Sequence, residues 1–394
     1  MKRPDLKITL GVLISACLMF ACGDDDTSPP ESGTVPDINV EVLYNNVTQY
    51  QTNYIRSLQI PSGAIKDTES NTSKITPYFA NFACLALLKN PTTENIAAAQ
   101  KYISWYIGKL NGTTNPHKGG VEIAGSVYDY FGETETTNGT YDSVDSYAAV
   151  FLMLVREFAS LSAENKAWLQ QYSDKIALIA NAMERCIDTD YNTLPGEDNN
   201  DGLSVASHVY AIKYLMDNCE VNLGLKAAKW LKENGLLTGD SGDFAALIEK
   251  NTTAIESGLW KGSSYCWYSD GRTSVTSNWS VFYPDAAAQL YPSIFEVINS
   301  YDSKANKLYT QFNHYYSKWS EGQVYSGNYP WTIIVYAAAN INDATRVNEY
   351  MAHINSYNIK NQQKAYWYSM EAACTVLAVD KIKNTTAPEY VPVN

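Results

Sequence analysis

Acidic residues recur in this chain at spacings that suit acid–base chemistry, usually with aromatic neighbours. Tyr141-Asp-Ser-Val-Asp-Ser-Tyr147 sets Asp142 and Asp145 three apart, and Met216-Asp-Asn-Cys-Glu220 does the same for Asp217 and Glu220. Phe282-Tyr-Pro-Asp285 and Tyr366-Trp-Tyr-Ser-Met-Glu371 each end on a carboxyl, and Asp67 closes the loop Pro61-Ser-Gly-Ala-Ile-Lys-Asp67. A pair of carboxyls can protonate a leaving glycosidic oxygen with one member and activate water, or attack carbon, with the other. The acid of such a pair holds its proton through burial or a like-charged neighbour. Asp142 and Asp145 share a side of any helix they start, so one could raise the other, whereas a helix N-terminus favours the anion.

Each acid also has a plainer explanation. Asp caps helix N-termini, and Asp142 with Asp145, like Asp217 with Glu220, has capping-box spacing. Asp145 ranks first as a catalytic candidate because Asp142 already supplies a cap. Asp67 follows because no helix needs it, then Asp217, with Asp142, Asp285 and Glu371 behind. Capping does not account for the company of Tyr78, Tyr130, Tyr147, Trp267, Tyr283, Trp331, Tyr366 and Trp367. Each ring alone can be packing; together they fit a surface on which sugars stack, since phenol and indole pair an apolar face with a polar edge.

The elements that position these residues are helical. From about residue 38 to 381 the apolar period is that of helices, with short hairpins only in loops. Amphipathic stretches at about 38–58, 92–110, 164–186, 239–260, 303–318 and 343–356 alternate with stretches apolar nearly all round at about 77–88, 142–158, 217–233, 284–298, 329–340 and 366–379. A helix apolar on every side is buried on every side. Long connections precede the apolar helices and short ones follow most of them, so the acids gather at one end. This pattern resembles the six-hairpin glycosidase superfamily, which implies an all-α fold, an (α/α)6 toroid of six inner and six outer helices. The Pro61-Ser-Gly-Ala-Ile loop is similar to active-site loops of six-hairpin enzymes. The alternative architecture is a helical solenoid, but no repeat of fixed period is present.

Residues 1–21 read as a signal peptide: Lys2, Arg3 and Lys7, then an apolar run from Ile8 to Phe20. Leu18-Met-Phe-Ala-Cys22 resembles a bacterial lipobox, which implies lipidation of Cys22; an ordinary signal peptide containing a cysteine is the other reading. Gly23-Asp-Asp-Asp26 resembles the surface-export signal of Bacteroidetes lipoproteins. Residues 22–37 then form an acidic, Pro-rich tether and 38–394 a single domain. The expected location is the outer membrane, at the cell surface or on its periplasmic face, with the lipid as the membrane partner.

The whole chain of 394 residues carries a net charge of −13. Removing residues 1–21 takes away Lys2, Arg3, Lys7 and Asp5, a net of +2, and leaves −15. That argues against nucleic acid, which needs a basic surface. Thirty tyrosines and nine tryptophans suit a carbohydrate partner. Cys84, Cys186, Cys219, Cys266 and Cys374 show no metal-like spacing and read as buried thiols, with one disulfide left open. No HExxH, GxSxG, P-loop or dinucleotide motif is present, so no metal and no cofactor is expected. Glu197-Asp-Asn-Asn-Asp-Gly202 only loosely matches a calcium loop.

Three functions follow. The first is a monomeric glycoside hydrolase acting on a largely neutral glycan. The second is a polysaccharide lyase using loop groups among Lys66, Lys74, Lys118, Lys261, Arg272, His117 and His208. The third is a glycan-binding lipoprotein without catalysis.

Overall fold

The computed structural model describes residues 39–112, 116–117, 120–121, 123–187, 201–207, 210–239, 242–271, 273–361 and 366–393. Cys22, Lys118, Glu197, Asp198, His208 and Arg272 lie outside them. The described chain is all-α, with a few short strands in its loops.

Six segments form the core. They are α2 (Pro77–Lys89), α4 (Asp145–Leu161), α7 (Leu215–Glu233), the short α9 (Tyr291–Ile294), α11 (Ile333–Asn340) and α13 (Ser369–Asn384). Each packs against the next in this order, and α13 packs back against α2. Their side chains are buried almost throughout, as in Ile333-Ile-Val of α11 and Val150-Phe-Leu of α4, which is why these stretches are apolar on every side. The other described helices are α1 (Val40–Ser57), α3 (Thr93–Gly108), α5 (Ala163–Gln170), α6 (Ser173–Arg185), α8 (Phe244–Thr253), α10 (Ser303–Tyr315) and α12 (Ala344–Asn361), and all of these except α10 make extensive contact with a core segment. Five of these begin on a side-chain cap, from Asn39, Thr92, Ser162, Asp243 and Asp343.

Two expected helices are broken. The stretch at 164–186 divides into α5 and α6 around Gln171 and Tyr172. The fourth apolar stretch is a π-helical turn, Phe282–Ala286, followed by α9. Tyr283 there is extended, with φ −127° and ψ 132°, and Pro284 and Pro292 each remove an N–H that a continuous helix would use.

Among the described residues the loops carry seven strands: β1 (Lys74–Ile75), β2 (Pro116–His117), β3 (Gly120–Val121), β4 (Tyr130–Phe131), β5 (Lys213–Tyr214), β6 (Cys266–Ser269) and β7 (Ser274–Thr276). β1 pairs with β4, β2 with β3, and β5–β6–β7 make one small antiparallel sheet. The five cysteines of the domain are buried free thiols.

α1 runs antiparallel to α13. Lys383 near the end of α13 donates to Asn45 near the start of α1 (3.3 Å), and Tyr54 near the end of α1 donates to the Trp367 carbonyl just before α13 (2.6 Å). The starts of the core segments are stitched to one another, so they share one end of the molecule.

Candidate active site

Side-chain bonds bring the acids of that end together. Asp67 accepts from the backbone N–H of Thr76 (2.8 Å) and its hydroxyl (2.7 Å), fixing the start of α2, and its carbonyl accepts from Ser369, the first residue of α13 (2.8 Å). Glu371 of α13 accepts the N–H and hydroxyl of Thr332 at 2.7 Å each, so it caps α11 rather than its own helix. Asp285 accepts the N–H of Asn278 (2.7 Å) and pins the loop before it.

α4 begins at Asp145, with Val144 at the cap position, so Asp142 lies outside the helix, exposed, and does not cap it. The expected capping box is absent there. Asp145 is wholly enclosed, at 0% exposure. It accepts from the Ser146 N–H (2.8 Å) and the Ser204 hydroxyl (2.6 Å). Burial lifts its carboxyl to about 6 against those bonds. Asp145, ranked first from the sequence, is thus a buried carboxyl bonded between α4 and the loop at Ser204.

α7 begins at Leu215, so Asp217 sits in its first turn and Glu220 one turn further in. Neither caps the helix. Glu220 is 1% exposed and takes hydrogen bonds from Tyr78 of α2 and Ser146 of α4. Burial raises it to about 8, helped by Asp145 and opposed by those two bonds. Asp217 is half-buried, and among the described residues no cation or side-chain donor pairs with it. Burial, then the charges of Asp145, Glu220 and Asp142, hold its carboxyl well above the usual range. These acids titrate as a cluster, and the protons belong to the group.

Asp129 completes the arrangement. It pairs with Lys74 at 2.7 Å and accepts from the Tyr147 hydroxyl at 2.9 Å. Burial raises its carboxyl although Lys74 pulls the other way. Sequence reasoning missed Asp129 and named Glu220 only as a capping partner. The available signals were the spacing of Glu220 from Asp217 and the Tyr-Asp-Tyr run at 128–130.

The aromatic candidates divide. Tyr130, Tyr147 and Trp367, expected from the sequence to face a sugar, are buried. The Trp367 indole donates to Gln51 (2.8 Å), Tyr130 lies edge-on to Trp105, and Tyr147 serves Asp129. Tyr78 and Trp267 are half-buried, the latter stacked on Tyr214 with centroids 6.0 Å apart. Tyr283 is 38% exposed and packs on half-buried Trp331, and Tyr366 is 45% exposed. Among the described residues, no cluster of His, Cys, Asp and Glu has the arrangement of a metal site. Asp201 of the calcium-like turn pairs instead with buried Lys213 (2.6 Å).

Solved structures share this fold. A glycosidase variant in complex with glucose aligns over 89% of this chain and 99% of its own, at 9% identity and a TM-score of 0.56. An α-amylase from Clostridium perfringens aligns over 85% and 97%, at 11% identity and 0.58. A D-mannose isomerase aligns over 89% and 99%, at 12% identity and 0.53. At such identities the likeness is one of fold. No protein-family model matches the chain, and no curated protein matches it by sequence.

Proposed function

We propose that this protein is a glycoside hydrolase built on an (α/α)6 toroid, with Asp217 as the proton donor to the leaving oxygen. The cyclic order of contacts among the six core segments supports the toroid, as do the glycosidase and α-amylase of the same fold. The single observation that carries the chemistry is Asp217. It is half-buried at the acidic end, has no counter-ion among the described residues, and burial with the charges of Asp145, Glu220 and Asp142 raises its carboxyl well above the usual range. That is the condition a general acid must meet. Asp142, exposed and close enough for its charge to act on Asp217, is the second carboxyl a hydrolase requires. Asp67, Asp145, Asp285 and Glu371 hold the helix starts and loops around them.

The substrate is a glycan without uronates. Lys74 and Lys66 pair with Asp129 and Glu133, so these two lysines, among the described residues, offer an acidic sugar no free charge. This also disfavours lyase chemistry, which must neutralise a uronate. We further propose that Cys22 is lipidated and that the protein works as a monomer at the outer membrane. Labelling with radioactive palmitate, lost in Cys22→Ala, tests the anchor.

The test of function is a reducing-sugar assay on neutral and uronic glycans, with Asp217→Asn beside the wild type. Release from a neutral glycan that falls by about 10²–10⁴-fold in the variant, with binding kept, is expected from loss of a general acid. Release that survives Asp217→Asn removes Asp217 from the role. An unsaturated product absorbing in the ultraviolet marks a lyase, and binding without any release marks a binding protein.

A further inference from the structure

Trp331 has a left-handed backbone, φ +55°. A bulky residue rarely adopts that conformation, and it persists only where its surroundings enforce it. Here they do. The Trp331 N–H donates to Glu371, the next residue, Thr332, donates its N–H and hydroxyl to the same carboxylate at 2.7 Å each, and the indole N–H donates to the Ser326 carbonyl at 3.1 Å. Capping α11 explains the bonds to Thr332. It does not explain why tryptophan, rather than glycine or asparagine, occupies the left-handed position.

The indole gives the reason. Its ring lies 4.6 Å from that of Tyr283, inclined by 37°. Phe282 backs it edge-on from the core at 5.5 Å. Tyr283 is itself the extended residue that interrupts the fourth core segment, and its ring is 38% exposed. Two separate departures from helical backbone therefore bring two aromatic rings together at the acidic end. Burial and then the charges of Asp217, Asp142 and Glu220 push the Tyr283 phenol up.

We propose that the Tyr283–Trp331 pair is a sugar-binding subsite, and that Glu371 is its positioning residue, holding Trp331 in the conformation that presents the indole. The proposal rests on the hydrolase reading for its substrate class, an uncharged sugar ring whose C–H face packs on the aromatic pair. Glu371 does not touch the sugar. Its carboxylate acts through the backbone of Trp331 and Thr332.

The experiment titrates neutral gluco-, manno-, galacto- and xylo-hexasaccharides into full-length Asp217→Asn protein, which binds without turnover, and follows affinity by calorimetry. Added Trp331→Ala is expected to weaken binding about tenfold or more, the scale of one aromatic contact. Added Glu371→Ala is expected to weaken it to a similar degree. Glu371→Gln keeps a carbonyl that accepts the same N–H groups and is expected to restore most of the affinity, an outcome a loss through general instability would not produce. In the otherwise wild-type enzyme, Trp331→Ala should raise KM more than it lowers kcat.

Unchanged affinity in Trp331→Ala overturns the subsite, as does an Asp217→Asn parent that binds none of the four sugars. Unchanged affinity in folded Glu371→Ala, or failure of Glu371→Gln to restore it, overturns the positioning role. If the parent binds a sugar in a Trp331-dependent way while wild-type protein hydrolyses no glycan, the hydrolase reading fails and the subsite stands.

Discussion

Replacing Glu220 by glutamine should change how stability depends on pH, and by an amount the structure sets. In an unfolded chain this carboxyl ionises above about 4.5, and in the fold only above about 8, because burial excludes the water that would solvate its charge. Below 4.5 both states hold the proton, and the favourable contribution of the protonated group is complete. Between the two values the unfolded chain releases a proton that the fold keeps, so stability falls as pH rises, by about 1.4 kcal/mol per pH unit. By pH 8 the loss from this group is about 5 kcal/mol. A glutamine at 220 carries no charge and still offers an oxygen to the Tyr78 hydroxyl. Urea unfolding followed by tryptophan fluorescence should therefore show a wild type that weakens from pH 5.5 to 7.5, and a Glu220→Gln protein that weakens less, by about 3 kcal/mol over those two units. Asp217 and Asp67 are raised in the same direction, so the variant keeps some of the slope. Releasing a carboxyl from the cluster also lets Asp217 ionise more readily, which should move the limb of the activity profile that needs a protonated acid to lower pH. Parallel stability curves for the two proteins, or a wild type more stable at pH 8 than at pH 6, would refute the burial argument for the whole cluster.

Lys74→Met leaves Asp129 buried beside Tyr147 without its cation. A loss of about 2–3 kcal/mol is expected at neutral pH, less than for a fully buried pair because Lys74 is partly exposed, and it should shrink as pH falls and Asp129 takes up a proton. Gly224→Ala would place a methyl 2.6 Å from the Cα and Cβ of Ala149, where α4 and α7 meet, and 3.0 Å from the Met183 sulfur. Thermal unfolding should show a cost of about 1–3 kcal/mol or more, since the clash is partly with backbone. Trp367→Phe removes the donor to Gln51 inside the core and should lower stability by about 1–3 kcal/mol. Its glycan affinity should be unchanged, in contrast to Trp331→Ala.

The alternation of amphipathic and wholly apolar stretches was legible because a helix buried on all sides leaves no polar stripe, as Ile333-Ile-Val shows. What sequence pattern could not supply was the helix start to within one turn. Asp142 looked like the cap of α4, yet the helix begins three residues later, and that shift moves Asp145 from the rim to the interior. One turn decides whether a carboxyl meets solvent. It also separates Asp217 from Glu220, which share a face of α7 but differ in depth. The second source of error was contact between elements far apart in the chain. Asp129 gains its role from Lys74, Glu371 caps a helix not its own, and Trp367 spends its indole on Gln51, more than three hundred residues away. No local spacing encodes these pairs. Buried polar groups must nevertheless find partners, so each acid at a helix start had two ways to meet that demand: a bond to a neighbouring helix, or a proton of its own. Asp67 and Glu371 bond to the residues that start α2 and α11 and Asp285 bonds to a loop, although burial still raises Asp67 and Glu371. Asp217 has no such bond among the described residues, and burial with its acidic neighbours raises its carboxyl, the direction a proton donor requires.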